Sequence, residues 1–131
     1  VVVSQNIEGN GKNKNINQIN EDEMILDIGP KTIVSIKKII NESNTILWNG
    51  PAGYFENPNF QTGTKEILEI ISQKTINDKI FSVAGGGETV AAINKFKKIN
   101  SFTFVSTAGG AFLEYLEGKD LPAIKAINKN V

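Results

Sequence analysis

Two stretches of this sequence combine residue types and spacing suited to holding a phosphate: Gly85-Gly86-Gly87-Glu88-Thr89 and Thr107-Ala108-Gly109-Gly110-Ala111. Glycine lets backbone N–H groups come close to an anion, and a helix amino end adds about half a positive charge. A glycine turn also serves plain strand–helix packing, so one alone says little, whereas two in adjacent units favour an anion site. Neither turn continues into Gly-Lys-Thr or Gly-Lys-Ser, so the Walker pattern is excluded, and so is the dinucleotide fingerprint. Glu88 at a helix amino end is favourable by roughly 0.3–1 kcal/mol without any ligand. Beside a phosphate it would repel unless a cation bridged the two, and magnesium, held by carboxylate and phosphate oxygens, fits that place. The Thr89 hydroxyl either donates to a phosphate oxygen or caps the helix.

A third turn, Trp48-Asn49-Gly50-Pro51-Ala52-Gly53-Tyr54-Phe55-Glu56, also begins where a strand ends. Pro51 and Tyr54 offer a flat apolar wall for a purine, and Glu56 offers acceptors for ribose hydroxyls. Equally, Trp48 and Phe55 are core residues and Glu56 is solvated.

The elements that must carry these turns follow from periodicity. Val1 to Ser4 reads as a buried strand, and Gln5 to Asp22, rich in Asn, Gly and Lys, as a mobile surface loop or irregular hairpin. Met24 to Ile28 is a second apolar run. Pro30 then fits the first position of a helix with Ile33, Ile36 and Ile40 inward. Further strands are expected at Thr45–Trp48, Lys79–Ala84 and Phe102–Ser106. A helix from Phe60 to Ser72 buries Thr64, Ile67, Leu68 and Ile71. Helices after the glycine turns bury Val90, Ile93 and Phe96, then Phe112, Leu113 and Leu116; Leu121-Pro122 opens a last short one. Strands alternate with helices almost throughout, and the later strands are apolar on both faces. The expected class is α/β, a Rossmann-like three-layer fold with a parallel sheet and helices on both faces. In such a sheet every strand-to-helix turn lies at the carboxyl edge, where ligands bind.

The chain has 131 residues, no cysteine and no histidine, and its 14 basic residues, all lysine, balance 14 acidic ones. Disulfides, thiolate or histidine metal sites and a histidine base are excluded. Zero net charge argues against a nucleic acid or an anionic membrane as main partner. No apolar run reaches membrane-span length, so a cytoplasmic domain is expected. Val1-Val2-Val3 opens the chain without methionine, which suggests a piece of a longer protein, whether arising naturally or by design.

The Trp48–Glu56 string resembles the Trp-Asn-Gly-Pro-x-Gly-x-Phe-Glu signature of phosphoglycerate kinases. Gly85-Gly86-Gly87-Glu88-Thr89 is similar to the family's Gly-Gly-Gly-Asp-Thr/Ser turn, and Ser106 to Ala111 to its Ser-Thr-Gly-Gly-Gly-Ala. Leu113 to Lys119 with Leu121-Pro122 resembles the family ending, and Leu26 to Pro30 an Asp-x-Gly-Pro turn. The resemblance covers nearly the whole chain and is weakest in the Asn-rich loop.

It implies phosphoryl transfer between 1,3-bisphosphoglycerate and ADP, giving 3-phosphoglycerate and ATP, with magnesium bound to the nucleotide. By carry-over, Asn49, Gly85, Gly86, Gly87 and Thr89 surround the phosphates, and Glu56 holds the ribose. Pro51 and Tyr54 wall the adenine, Glu88 ligates magnesium, and Gly109 and Gly110 meet the phosphoryl group in flight. Glu88 stands in place of the family aspartate, and Ala108 in place of a glycine, harmless at negative φ and obstructive at positive φ. Residues 1–131 are thus expected to be the carboxyl-terminal part of the nucleotide-binding domain, an incomplete domain lacking the sugar-acid half. The other reading is a non-catalytic α/β nucleotide-binding or structural module. The parent enzyme is expected to be a monomer. The chain alone is expected to form no ATP above a control lacking it, to expose an apolar face or edge, and to be marginally stable or self-associate.

Overall fold

The computed structural model describes residues 1–129. Three strands come first, β1 (Val2–Ser4), β2 (Lys12–Asn13) and β3 (Met24–Asp27), followed by helix α1 (Pro30–Glu42). Strand β4 (Thr45–Asn49), helix α2 (Thr62–Asn77), strand β5 (Phe81–Gly85), helix α3 (Gly87–Lys95) and strand β6 (Phe104–Val105) alternate after it. Helices α4 (Gly110–Leu116) and α5 (Pro122–Asn128) complete the fold.

The alternation of strand and helix starts later than the periodicity suggested. Strands β2-β1-β3 form their own antiparallel sheet, with Val3 opposite both Lys12 and Ile25. The physical reason lies in the connections. Parallel neighbours need a crossover of a dozen or more residues, usually a helix, and the links here are loops and turns. The Asn-rich segment is the irregular hairpin, closed through β2 and a 3-10 turn at Ile16–Gln18.

The parallel sheet is β4-β5-β6, in register Thr45–Phe81, Leu47–Val83, Asn49–Gly85 and Val83–Phe104. On one face, Trp48 and Ala84 pack with Ile67, Leu68 and Ile71 of α2 and Ala92 and Ile93 of α3. Trp48 stacks on Phe102 with ring centroids 6.1 Å apart. The predicted face of α2 is buried as expected, although the helix itself begins after a 3-10 turn at Pro58–Phe60. Pro30 sits at the start of α1, where its missing N–H costs nothing, and Ile33 and Ile40 point inward.

The second face is covered only near its carboxyl end, where Phe112 of α4 lies over Gly85. Leu47, Phe81 and Phe104 on that face remain about half exposed, so the expected open apolar face is present. Leu116, which helical periodicity turns inward, is instead 53% exposed. With a sheet of three strands, α4 finds cover only for its first turn. Among the described residues no helix is long and apolar enough to cross a membrane.

The antiparallel sheet is tied to α2 at Asp27, the last residue of β3, which is 2% exposed. Its carboxylate accepts from the Ile28 N–H at 2.8 Å and from the Gly63 N–H at 2.8 Å. Burial pushes its carboxyl above the ordinary range, against the pull of those N–H donors. A Cβ at Gly63 would collide with this carboxylate and with Ile28. Gly63→Ala is therefore expected to destabilise the fold by about 1–3 kcal/mol, read as a lower urea midpoint at unchanged slope, whereas Ala at the open Gly110 position leaves the midpoint nearly unmoved.

Candidate nucleotide site

The carboxyl ends of β4, β5 and β6 bring the three chemistry-bearing turns to one edge. Asn49 and Gly85 end neighbouring strands in register. Gly86 follows at φ +90°, and a Cβ there would strike the Asn49 amide oxygen. This is a backbone conformation and a close approach that only glycine supplies.

Thr89 is fully buried, and its hydroxyl neither faces solvent nor caps α3, whose N-cap is Gly86. Its Oγ1 accepts from the Gly50 N–H at 2.6 Å, pinning the turn after β4 to the turn after β5. Gly50, at φ +92°, has open space on its other side. Among the sequence-predicted site residues, Thr89 thus also holds the frame. Gly85 is buried under Phe112 and serves strand–helix packing. Gly87, Gly109 and Gly110 border open space. Glu88 is exposed in the first turn of α3.

The third turn is held from beneath. Ser106, 4% exposed, is anchored by its N–H to the Ala84 carbonyl at 2.8 Å, and its hydroxyl accepts from the Ala108 N–H at 3.3 Å. Among the described non-glycine residues only Lys79 and Lys97 have positive φ, so Ala108 is not in the obstructive conformation. Gly109 takes the left-handed position at φ +58°.

The Trp48–Glu56 turn divides its residues. Trp48 and Phe55 belong to the core. Thr64, buried on α2, accepts from the N–H groups of Ala52 at 3.1 Å and Gly53 at 3.2 Å. Gly53 lies so close to the Asp27 carboxylate that a Cβ would collide with it. The Tyr54 N–H reaches the Leu26 carbonyl at 2.7 Å. Lys95, at the far end of α3, donates to the carbonyls of Phe55 at 2.5 Å and Glu56 at 3.1 Å. Tyr54 and Glu56 line a cleft of about 340 Å³ with Ile7, Glu8, Asn57 and Pro58, whereas Pro51 is half-buried outside it. The sequence pattern places Thr64 on the buried face of α2 but assigns no bonding role to it, to Asp27 or to Lys95. An acid inside the apolar run Leu26-Asp27-Ile28 is the signal that points to Asp27; the other two bond to backbone far along the chain and leave none.

Among the described residues there is no group of three His, Cys, Asp or Glu side chains able to cage a metal. A single exposed carboxylate beside open backbone suits a magnesium ion that arrives with phosphate oxygens as its other ligands. Glu88 is the residue in that position.

Residues 1–119 match the sequence profile of the phosphoglycerate kinases. The chain belongs to the phosphoglycerate kinase family. It is 49% identical over 117 residues to phosphoglycerate kinase of Blochmanniella floridana, covering 89% of this chain and 28% of that protein. Identity to the Francisella philomiragia phosphoglycerate kinase is 51% over 116 residues, covering 88% of this chain and 29% of the relative. The phosphoglycerate kinase structure from Coxiella burnetii superposes with a TM-score of 0.85 at 42% identity, over 95% of this chain and 32% of that one. The Pyrococcus horikoshii structure gives a TM-score of 0.69 at 37% identity, over 81% of this chain and 25% of that one. The chain thus spans about 30% of the length of its phosphoglycerate kinase relatives.

The pin between the two turns is testable. Thr89→Val keeps shape and removes the acceptor, leaving the Gly50 N–H without its partner; a loss of about 1–3 kcal/mol is expected in chemical denaturation. Thr89→Ser, which restores an oxygen, is expected to recover most of it.

Proposed function

We propose that this chain is the carboxyl-terminal part of the nucleotide-binding domain of a phosphoglycerate kinase, and that it holds the magnesium nucleotide during phosphoryl transfer between 1,3-bisphosphoglycerate and ADP. The observation that carries the proposal is the convergence of three turns at one sheet edge, two of them pinned together by Thr89. Family membership supports it, as does the open backbone at Gly87, Gly109 and Gly110.

In this reading the nucleotide phosphates lie along the edge, met by Asn49 and by the N–H groups of the Gly86-Gly87 turn at the amino end of α3. Glu56 accepts from the ribose hydroxyls, with Tyr54 and Pro51 as apolar neighbours of the base. Glu88 holds the magnesium ion, which when bound offsets charge on the phosphate oxygens. Gly109 and Gly110 present backbone N–H groups where charge develops on the transferred group. Catalysis of this kind is mainly positioning and charge stabilisation, which fixed backbone donors supply without reorganisation.

The sugar acid needs more than this chain carries. No arginine is present to clamp a carboxylate or phosphate bidentately. Binding of 3-phosphoglycerate or 1,3-bisphosphoglycerate is therefore assigned to other parts of the whole enzyme. The setting is taken as cytoplasmic, where ADP, ATP and magnesium are at hand.

Calorimetric titration with ADP tests this. Binding that requires magnesium is expected, weakened about tenfold or more by Glu56→Ala and by Glu88→Ala, in line with hydrogen bonds to charged groups. No heat of binding from a chain folded by circular dichroism, or binding indifferent to both substitutions, would contradict it.

A further inference from the structure

The cleft beside Glu56 has two walls that lie some fifty residues apart in sequence. One is Tyr54 to Pro58; the other is Ile7 and Glu8 of the Asn-rich segment. The segment is strapped to the turn by side-chain amides. Asn57 Nδ2 donates to the Ile7 carbonyl at 2.6 Å, and Asn59 Nδ2 donates to the Gly9 carbonyl at 3.1 Å. Asn57 works in both directions, since its Oδ1 accepts from the Asn59 N–H at 2.8 Å and so starts the 3-10 turn that leads into α2.

The lining has a definite chemistry. Ile7 is 41% exposed and Tyr54 37% exposed, giving two apolar surfaces within one small cleft. Glu8 and Glu56 add two carboxylates that have no hydrogen-bonded or cationic side-chain partner among the described residues: Glu8 donates its backbone N–H to the Asn6 amide oxygen, and Lys95 reaches Glu56 at its backbone carbonyl, not its carboxylate. A ribose diol offers two O–H donors and no charge, and the attached base offers flat apolar faces. That combination suits acceptors and apolar walls together, and an anion would be repelled from it.

Resting on the nucleotide reading above, we propose that Asn57 is a positioning residue for the nucleoside: its clasp on the Ile7 carbonyl sets Ile7 and Glu8 as the second wall of the cleft that takes the ribose and base. Glu8 then accepts from the diol opposite Glu56. The phosphates, which lie along the glycine turns, do not depend on the clasp.

Asn57→Ser tests the assignment because it separates the two bonds. The serine hydroxyl still accepts from the Asn59 N–H but is too short to reach Ile7. Affinities for magnesium ADP and for magnesium pyrophosphate are measured on the unaltered chain and on the variant. The expected result is about a tenfold loss for ADP with pyrophosphate unchanged, the upper range for one hydrogen bond. Glu8→Ala, which breaks no hydrogen bond of the fold, is expected to weaken ADP about threefold and likewise spare pyrophosphate. Equal losses for both ligands would mean a general loosening and would overturn the proposal, as would no loss for either. ADP binding that Glu56→Ala weakens and both new variants leave intact overturns only the clasp. Absence of ADP binding, or indifference to Glu56→Ala, overturns the nucleotide reading and the clasp with it.

Discussion

A carboxylate that cannot reach water organises this molecule. Asp27 ends β3, and its two oxygens take the N–H of Ile28 and the N–H of Gly63, at the first turn of α2. A buried acid is costly unless its oxygens are hydrogen-bonded, and here both take backbone N–H groups. The same carboxylate leaves no room for a Cβ at Gly53 or Gly63. One side chain thereby ties the antiparallel sheet, the amino end of α2 and the Trp48–Glu56 turn into a single frame.

Above that frame the division of labour is consistent. The groups that support the edge are buried: Asp27, Thr64, Thr89 and Ser106 are all under one-tenth exposed. The groups assigned to ligand are open: Gly87, Glu88, Gly110 and Glu56. Polar side chains that would be costly inside an apolar core are paired with the N–H groups of the turns, which would be costly if left unpaired. Among the described residues no buried side-chain polar atom lacks a partner. An edge built this way presents donors in fixed places, which transfer of a charged group needs.

Much of this was legible in the residues themselves. The face of α2 follows from Ile67, Leu68 and Ile71 at helical spacing, and Pro30 announces the start of α1. The glycine turns announce strand ends because few other residues take their backbone angles. What escaped was non-local. Antiparallel pairing of β1 with β3 depends on distant partners such as Val2 and Asp27, and an apolar run carries no mark of direction. Thr64 looks like one more member of an apolar face until its hydroxyl meets the N–H groups of Ala52 and Gly53. That Thr89 accepts from the Gly50 N–H, across 39 residues, is equally invisible in the residues themselves. Leu116 was placed inward by periodicity alone, which says which side a residue faces and not whether anything covers that side.

Native-state hydrogen exchange at the amides of Gly50, Ala52, Gly53 and Gly63 tests whether the sheet edge and its turns are formed before any ligand arrives. Their N–H groups bond to Thr89, Thr64, Thr64 and Asp27. If the frame stands in the free chain, these amides exchange about a hundredfold or more slowly than those of the exposed Asn-rich segment. Exchange as fast as in that segment would mean that the turns are unformed without ligand, and the account of a preset edge would fail.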